Sequence, residues 1–180
     1  MGEAGSVTEL TTDRLELRRW RESDLDEHAA MIADPEVNRY VGGPTDRASA
    51  WRQIALFIGH RELRGWTSSV VVERQSGRMV GRAGLWQPEG YPDPEVGWIL
   101  KPSVWNRGYA TEIGLAVRDY AFGTLGLPHL ISLIDPDNHA SIRVAQKMGA
   151  SLEGEHDLNG SPHLIYGQYA PSRNAARDPE

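Results

Sequence analysis

The residues from Val96 to Thr111 have the types and the spacing needed to bind a phosphate group. An apolar run, Val96 to Leu100, is followed by a loop that opens at Pro102 and by an amphipathic segment that begins near Gly108. The first turn of a helix has about four N–H groups without intrahelical partners, and the helix dipole adds partial positive charge there. Gly108 allows close approach of the main chain, and Arg107 adds a suitable cation. The stretch predicts a phosphate site made of backbone, although a tight turn that needs small residues explains the same pattern.

Two better-known phosphate loops are excluded by the sequence. No Gly-x-x-x-x-Gly-Lys-Ser/Thr string occurs, so a Walker loop is absent. The segment from Arg107 to Ala110 lacks the three-glycine spacing of a dinucleotide fingerprint. The predicted ligand is therefore neither a bare triphosphate nor a nicotinamide cofactor.

The composition is that of an ordinary globular chain of 180 residues, for which we predict one domain. No apolar run approaches the ~20 residues that cross a membrane, and residues 1–10 do not resemble a secretory signal, so we expect a cytoplasmic protein. The net charge of −6 argues against non-specific nucleic-acid binding and favours cationic substrates such as amines. Cysteine is absent, which excludes thiolate ligands and a cysteine nucleophile.

The six histidines do not predict a metal site. His156 and His163 would face each other across a hairpin if Asn159-Gly160 is its two-residue turn. Two histidines alone are too few ligands for a metal ion, so we interpret them as a solvent-facing or substrate-lip pair.

Periodicity and turn signals predict the elements that position the central loop. The predicted order is β, α, α, β, β, β, α, β, α, β, β within residues 13–170, with a flexible leader at 1–12 and a flexible tail at 171–180. This order indicates a mixed sheet with hairpins and one βαβ crossover around the loop. Trp51, Ile54, Ala55 and Ile58 are predicted to form the core-facing stripe of the second helix.

Several motifs at once resemble the GNAT N-acetyltransferases, and more closely the branch that contains the ribosomal-protein alanine N-acetyltransferases. They are the strand Val96 to Leu100, the run Trp105 to Glu112, and Asn138 to Ser141 followed by Lys147 to Gly149. The likeness covers residues 12–170. It implies an α/β (mixed α+β) domain with one mostly antiparallel, six- to seven-stranded sheet and about four flanking helices. The fourth and fifth strands of that sheet, 95–100 and 129–134, are expected to splay apart.

The resemblance implies acetyl-CoA as the cofactor. In that family the loop equivalent to Trp105–Ala110 wraps the pyrophosphate, and the splayed strand pairs with the pantetheine arm as an added strand would. The residues it assigns to cofactor binding are Trp98, Ile99, Leu100, Trp105, Asn106, Arg107, Gly108, Tyr109, Ala110, Thr111, Asn138, Ser141 and Lys147. Two positions depart from the family pattern: Trp105 stands where Gln or Arg is common, and Ala145 stands where many members have a tyrosine that protonates the thiolate.

Direct acetyl transfer requires a neutral amine held near the thioester, a group that takes its proton, and a donor to the carbonyl oxygen. Glu95 is the predicted base, acting directly or through water, and the alternative is a surface carboxylate paired with a cation. Ser141 is the predicted acid, and its alternative role is helix capping alone. The backbone N–H of Ile99 is the predicted oxyanion donor.

The acceptor is the part of the reaction on which the sequence is least informative. Segments 34–47 and 155–163 are expected to form its pocket, with Asn38, Arg39, Tyr40 and Asp157 as candidate lining residues. The branch resemblance favours a protein or peptide N-terminal α-amino group, which loses its proton more readily (pKa about 8) than lysine (about 10.4). The alternatives are a small-molecule amine, such as an antibiotic or an amino acid, and a non-catalytic acyl-CoA sensor. No nucleic-acid or membrane partner is predicted, and a homodimer is left open.

Overall fold

The computed structural model describes residues 8–158 and 160–171. Its strands are β1 (Thr8–Thr11), β2 (Leu15–Arg18), β3 (Ser68–Glu73), β4 (Arg78–Trp86), β5 (Glu95–Leu100), β6 (His129–Ile134), β7 (Ser151–Leu158) and β8 (Ser161–Tyr169). Its helices are α1 (Leu25–Ile32), α2 (Arg47–Arg64), α3 (Tyr109–Gly123) and α4 (His139–Lys147), with 3-10 turns at Glu22–Asp24 and Pro102–Val104. The strands form one sheet in the order β1-β2-β3-β4-β5-β6-β8-β7. This confirms the predicted mixed sheet with its flanking helices.

The sheet contains one strand more than expected, because β1 lies within the predicted flexible leader. Residues 8–11 pair antiparallel with β2, and Leu10 packs against the main apolar cluster. The Glu9 carboxylate accepts a hydrogen bond from the Ser69 hydroxyl. The prediction is therefore corrected for residues 8–11, whereas residues 1–7 and 172–180 lie outside the described part of the chain.

The sheet has one helical layer on each face. Strand side chains alternate between faces, so Val71 packs in the cluster of α3, whereas Val70 and Val72 pack in the cluster of α1 and α2. The α3 cluster includes Ile113 and Val117, both almost fully buried. A cofactor bound at the α3 loop and an acceptor bound beside α2 would consequently approach the sheet from opposite faces.

The buried face of α2 differs from the predicted stripe. Ala50, Ile54 and Phe57 are buried, whereas Trp51 is 56% exposed, Ile58 is 45% exposed and Ala55 is exposed as well. Each of these three exposed residues follows a buried neighbour by one position, which is about 100° around the helix axis. The apolar stripe of the sequence therefore overlaps the core-facing arc of α2 without coinciding with it.

β5 and β6 separate as predicted. They are parallel and share a single register pair, Glu95 with Ile131, and the N–H of Ile131 donates to the carbonyl of Pro94 at 3.0 Å. Beyond that pair β5 remains paired with β4, and β6 with β8. The result is a gap in the middle of the sheet.

No helix in the described part of the chain is both long and apolar enough to cross a membrane.

Candidate active site

A cavity of about 680 Å³ opens at the gap between β5 and β6. Its walls come from the loop that follows α1, from α2, β4, β5 and β6, from the start of α4, and from the β7–β8 hairpin. The predicted site residues that line it are Tyr40, Glu95, Trp98, Ile99, Asn138 and Ser141. The fold thus brings the predicted base, the predicted acid and part of the cofactor strand into one cavity.

The main chain of β5 offers unpaired groups to the gap at alternate residues. The carbonyl of Val96 faces β6, because it accepts the Ser132 hydroxyl at 2.7 Å. The N–H of Lys101 faces β4, because it donates to Val80 at 2.8 Å. Backbone groups alternate in direction along a strand, so those of Trp98 face the gap and those of Ile99 face β4. We therefore replace the Ile99 N–H with the Trp98 N–H as the candidate oxyanion donor. The main chain of Trp98 is also the candidate partner for hydrogen bonds with an extended ligand that lies along the gap.

The loop between β5 and α3 is shaped to hold an anion. Asn106 (φ 60°) and Gly108 (φ 79°) adopt left-handed conformations, and Gly108 immediately precedes α3. The first intrahelical bond runs from the N–H of Glu112 to the carbonyl of Gly108 at 3.0 Å. The N–H groups before Glu112, from Tyr109 to Thr111, have no such partner and point out of the helix N-terminus. Residues 105–111 do not line the 680 Å³ cavity but continue directly from the strand that does.

Trp105 does not need a phosphate partner to explain its position. Its indole N–H donates to the carbonyl of Leu100 at 2.7 Å. Leu100 is the last residue of β5, and its carbonyl is on the gap side by the same alternation that places Trp98 there. Trp105 therefore ties the phosphate loop to the end of the splayed strand.

Arg14, between β1 and β2, braces the phosphate loop, a role the sequence did not reveal. Its guanidinium donates to the Arg107 carbonyl at 2.9 Å and lies 4.6 Å from the centre of the Tyr109 ring. It also pairs with the Glu112 carboxylate at 2.6 Å. An unpaired carboxylate in the first turn of α3 would oppose a bound phosphate, and Arg14 offsets its charge.

The start of α4 presents two polar groups to the cavity. The Asn138 carboxamide oxygen accepts the N–H of Ser141 at 3.1 Å and caps the helix. Because Asn138 supplies the cap, capping does not account for the Ser141 hydroxyl, which lines the cavity. Lys147 is exposed at the other end of α4 and does not line the cavity. Ala145 is buried in an apolar cluster, so the position of the family tyrosine contributes no proton donor.

Glu95 is the titratable group at the centre of the site. Its side chain shares the α1/α2 face of the sheet with those of Ile99 and Trp86. One carboxylate oxygen accepts the N–H of Leu133 at 3.4 Å, so the side chain occupies the first unpaired position of β6. Burial raises the pKa of Glu95 to about 7, although the Leu133 N–H and the charge of Arg82 act in the opposite direction. A buried carboxylate that titrates near neutrality fits a general base and not a surface ion pair.

Arg82 and Tyr91 complete the surroundings of Glu95, and sequence reasoning missed both. Burial lowers the pKa of Arg82 to about 10, which leaves it charged, and raises the pKa of Tyr91 to about 12, which leaves it neutral. The available signal for Arg82 was a single cation inside the apolar run Met79 to Trp86. Tyr91 lies in a proline-rich loop that carried no comparable signal.

Two of the predicted acceptor residues do not reach the cavity. Asn38 is buried, and its amide donates to the carbonyl of Met31 at 3.2 Å. Asp157 accepts the N–H of Gly160 at 2.7 Å and stabilises the β7–β8 turn. Their side chains serve nearby backbone, whereas Arg39 and Tyr40 line the cavity as predicted.

The two histidines of the last hairpin are cross-strand partners, as expected. His156 pairs in register with His163, and His163 lines the cavity. The described residues contain no group of three side chains that could hold a metal ion. We therefore regard His163 as part of the cavity wall.

Comparison with known proteins identifies the class. A family model described as an acetyltransferase (GNAT) domain matches residues 14–151, and the chain belongs to this family of acyltransferases. It is 32% identical over 149 residues to the uncharacterised protein YkkB of Bacillus subtilis, covering 79% of this chain and 84% of that protein. A solved acetyltransferase from Agrobacterium tumefaciens has 31% identity and a TM-score of 0.82, covering 91% of this chain and 94% of that one.

More distant structures share the fold with different acceptors. The ribosomal L7/L12 alpha-N-protein acetyltransferase RimL, in complex with coenzyme A, has 18% identity and a TM-score of 0.76 over 91% of this chain and 98% of that one. The spermidine N-acetyltransferase from Vibrio cholerae, in complex with CoA and spermine, has 18% identity and a TM-score of 0.70 over 88% and 97%. At this identity the likeness shows the fold alone and does not identify the acceptor.

Proposed function

We propose that the protein transfers an acetyl group from acetyl-CoA directly to the α-amino group at the N-terminus of a protein or peptide. The observation that carries the proposal is the position of Glu95, at the single point where β5 and β6 meet and on the wall of the cavity. The fold likeness to RimL is compatible with the ribosomal-protein branch, which remains part of the proposal.

The pKa of the base favours an α-amine over an alkylamine. With Glu95 titrating at about 7, taking a proton from an α-ammonium of pKa about 8 costs roughly 1.4 kcal/mol. Taking one from a lysine-like ammonium of pKa about 10.4 costs roughly 4 to 5 kcal/mol. The difference amounts to more than a hundredfold in rate if Glu95 removes the ammonium proton before the amine attacks.

The cofactor residues fit the chemistry of acetyl-CoA. The unpaired N–H groups at the start of α3 would hold its pyrophosphate, and the main chain of Trp98 together with the Asn138 amide would hold its amide-containing arm. Acetyl-CoA supplies the thioester carbonyl that the amine attacks.

The chain's own groups manage the protons and the developing charge. Glu95 takes a proton from the bound ammonium and so frees the nitrogen lone pair, and the Trp98 N–H stabilises the carbonyl oxygen as the C–N bond forms and the oxygen gains charge. The Ser141 hydroxyl then donates a proton to the sulfur as the C–S bond breaks and regains one, through solvent, from the nitrogen, which becomes the neutral amide. This assigns each step to a group at the gap.

The test is acetyl-CoA binding by calorimetry, followed by thiol release with a panel of amines. The panel comprises peptides with free N-termini, Nα-acetyl-lysine and spermidine. We expect the highest kcat/KM for the peptides. A preference for Nα-acetyl-lysine or spermidine would contradict the α-amine proposal, and binding without thiol release would support the sensor alternative.

A further inference from the structure

The cavity that holds the base Glu95 is also lined by a cation, Arg82. We propose that the physiological acceptor carries a carboxylate and that Arg82 binds it. This inference rests on the proposed transfer to an α-amine and names the chemical class of the acceptor.

The first observation is that the Arg82 guanidinium has unmet donors. One terminal nitrogen donates to the Ser68 hydroxyl at 3.2 Å, and the group lies 5.0 Å from the centre of the Phe57 ring. Its Nε is buried without a hydrogen-bond partner. Among residues 8–158 and 160–171 its guanidinium forms no ion pair, and the Glu95 carboxylate acts on it through charge alone, without a hydrogen bond. A guanidinium has five donors, so a ligand carboxylate would supply the hydrogen-bond acceptors that the protein does not.

The second observation is the sign of the charges around the acceptor. We use "acceptor half" for the part of the cavity lined by residues 39–43, α2 and β4, and by Tyr91 and Glu95. Arg39 and Arg82 are its cations, and Glu95 is its one carboxylate among the lining residues. The other lining carboxylate, Asp135, accepts the N–H of Asp137 at 2.9 Å beyond the end of β6.

These charges disfavour a polyamine. Such an acceptor would place a second ammonium near two arginines with one carboxylate to share, and like charges in a partly desolvated site repel strongly. An acceptor with one amine and one carboxylate matches the charges of the acceptor half instead, since its amine would reach Glu95 and its carboxylate would reach Arg82.

The third observation is the space between the side chains of Arg82 and Glu95. In the β4–β5 register Arg82 pairs with Ile99 and Trp86 pairs with Glu95, and the pair halfway between them is Gly84 with Gly97. Four strand residues span roughly 13 Å, and Arg82 shortens that span by leaning toward Ser68, the β3 partner of Gly84. A side chain at Gly97 would meet only the Glu95 carboxyl group, 3.8 to 3.9 Å from its Cβ. Gly97 therefore leaves room beside the base for a small group that bridges the base and the cation, whereas the Thr67 carbonyl fills the place of a side chain at Gly84.

The carboxylate could belong to a small-molecule amine or to an acidic residue next to a peptide N-terminus. Matched pairs distinguish these sources in the wild-type protein. One pair is a peptide that begins Ser-Asp and one that begins Ser-Asn. The other pair is glutamate α-amide and glutamine α-amide, which have the same α-amine environment. We expect kcat/KM to be about 10- to 100-fold higher for the carboxylate member of whichever pair represents the source.

The Arg82→Gln variant tests whether Arg82 is the group responsible. Both members of a pair use Glu95, so any change in the base cancels in their ratio, which we expect to fall to about 1. Arg78→Gln is the matched control, because Arg78 is exposed at the far end of the same strand and does not line the cavity. It should keep the wild-type ratio.

Two results would overturn the inference while leaving acetyl transfer intact. One is wild-type turnover with equal kcat/KM within both pairs, which needs no variant to fold. The other is a folded Arg82→Gln protein, checked by circular dichroism, that keeps the wild-type ratio. By contrast, no thiol release from any amine by protein that binds acetyl-CoA would overturn the proposed function itself.

Discussion

The two halves of the candidate site use different kinds of chemical group. The cofactor half consists mainly of main chain: the gap-facing groups of Trp98, the left-handed turn at Asn106 and Gly108, and the start of α3. The acceptor half consists of side chains, with Glu95 and Arg82 drawn from paired strands.

This difference decides which half responds to pH. Backbone N–H groups do not titrate, and their direction is fixed by the fold. A side-chain base must instead be given a suitable pKa, and Glu95 obtains it through burial. We therefore expect acetyl-CoA affinity to change little between pH 6 and 8, whereas kcat/KM rises as Glu95 loses its proton near pH 7.

The largest effect that would sharpen this comparison is expected from Glu95→Gln. The amide oxygen can still accept the Leu133 N–H, so the gap should keep its shape while the base is lost. We expect kcat to fall by about 10²- to 10⁴-fold with acetyl-CoA affinity unchanged. Single-turnover thiol release and calorimetry measure the two quantities. A variant that retained a tenth of wild-type kcat would rule out Glu95 as the base.

The same variant should show what the base costs in stability. The folded-state pKa of Glu95 is raised to about 7 from an ordinary 4.5, so between these values the folded protein holds a proton that the unfolded chain has lost. The free energy of unfolding then falls as pH rises, by at most about 3 kcal/mol. Glu95→Gln lacks this contribution.

Urea denaturation at several pH values measures that cost. The stability of Glu95→Gln relative to wild type should increase from pH 5 to pH 8, and all other titrations cancel in the difference. A pH-independent difference would show that the pKa of Glu95 is not raised by folding.

The cofactor half was the more predictable of the two because its signals are local in sequence. Gly108, Asn138 and the splayed strand follow from turns, caps and a family motif within short segments. Arg82 lies on the same face of the sheet as Glu95, four strand positions away, only through the register of β4 with β5, which no short segment reveals. Asn38 and Asp157 were plausible by polarity, yet loop amides and carboxylates commonly bond their own backbone, and both do so here.

The same limit applied to the fold. The strands flanked by clear turns were predictable, whereas the four residues of β1 carry little apolar signal and are defined by pairing with β2. The exposed Trp51 shows that an apolar stripe on a helix does not by itself fix which arc is buried. In both cases contacts with other elements, and not the residues of the segment itself, decided the structure.

A smaller effect, in the cofactor half, is expected from Gly108→Ala. Gly108 has φ of +79°, which strains any residue with a Cβ, and the added methyl would lie 3.6 Å from the Arg14 guanidinium. We expect acetyl-CoA affinity to fall about 5- to 10-fold, with kcat at saturation within about twofold of wild type.

Gly77→Ala is the matched control for that experiment. Gly77 has a similar φ of +67°, with nothing within 4 Å of an added Cβ, in the β3–β4 turn away from the cavity. It should lose a comparable amount of stability and no acetyl-CoA affinity. Equal affinity losses in both variants would mean that global strain, and not the phosphate loop, is responsible.

The smallest effect is expected from Trp105→Phe, which removes the hydrogen bond to the Leu100 carbonyl and keeps an aromatic ring. If Trp105 braces the end of β5, the variant should lose about 0.5 to 1.5 kcal/mol of unfolding free energy and no more than about twofold in acetyl-CoA affinity. Urea denaturation and calorimetry separate the two. A tenfold loss of acetyl-CoA affinity at unchanged stability would instead mean that the indole contacts the cofactor. The Trp105 side chain would then be part of the cofactor half, which otherwise binds through main-chain groups.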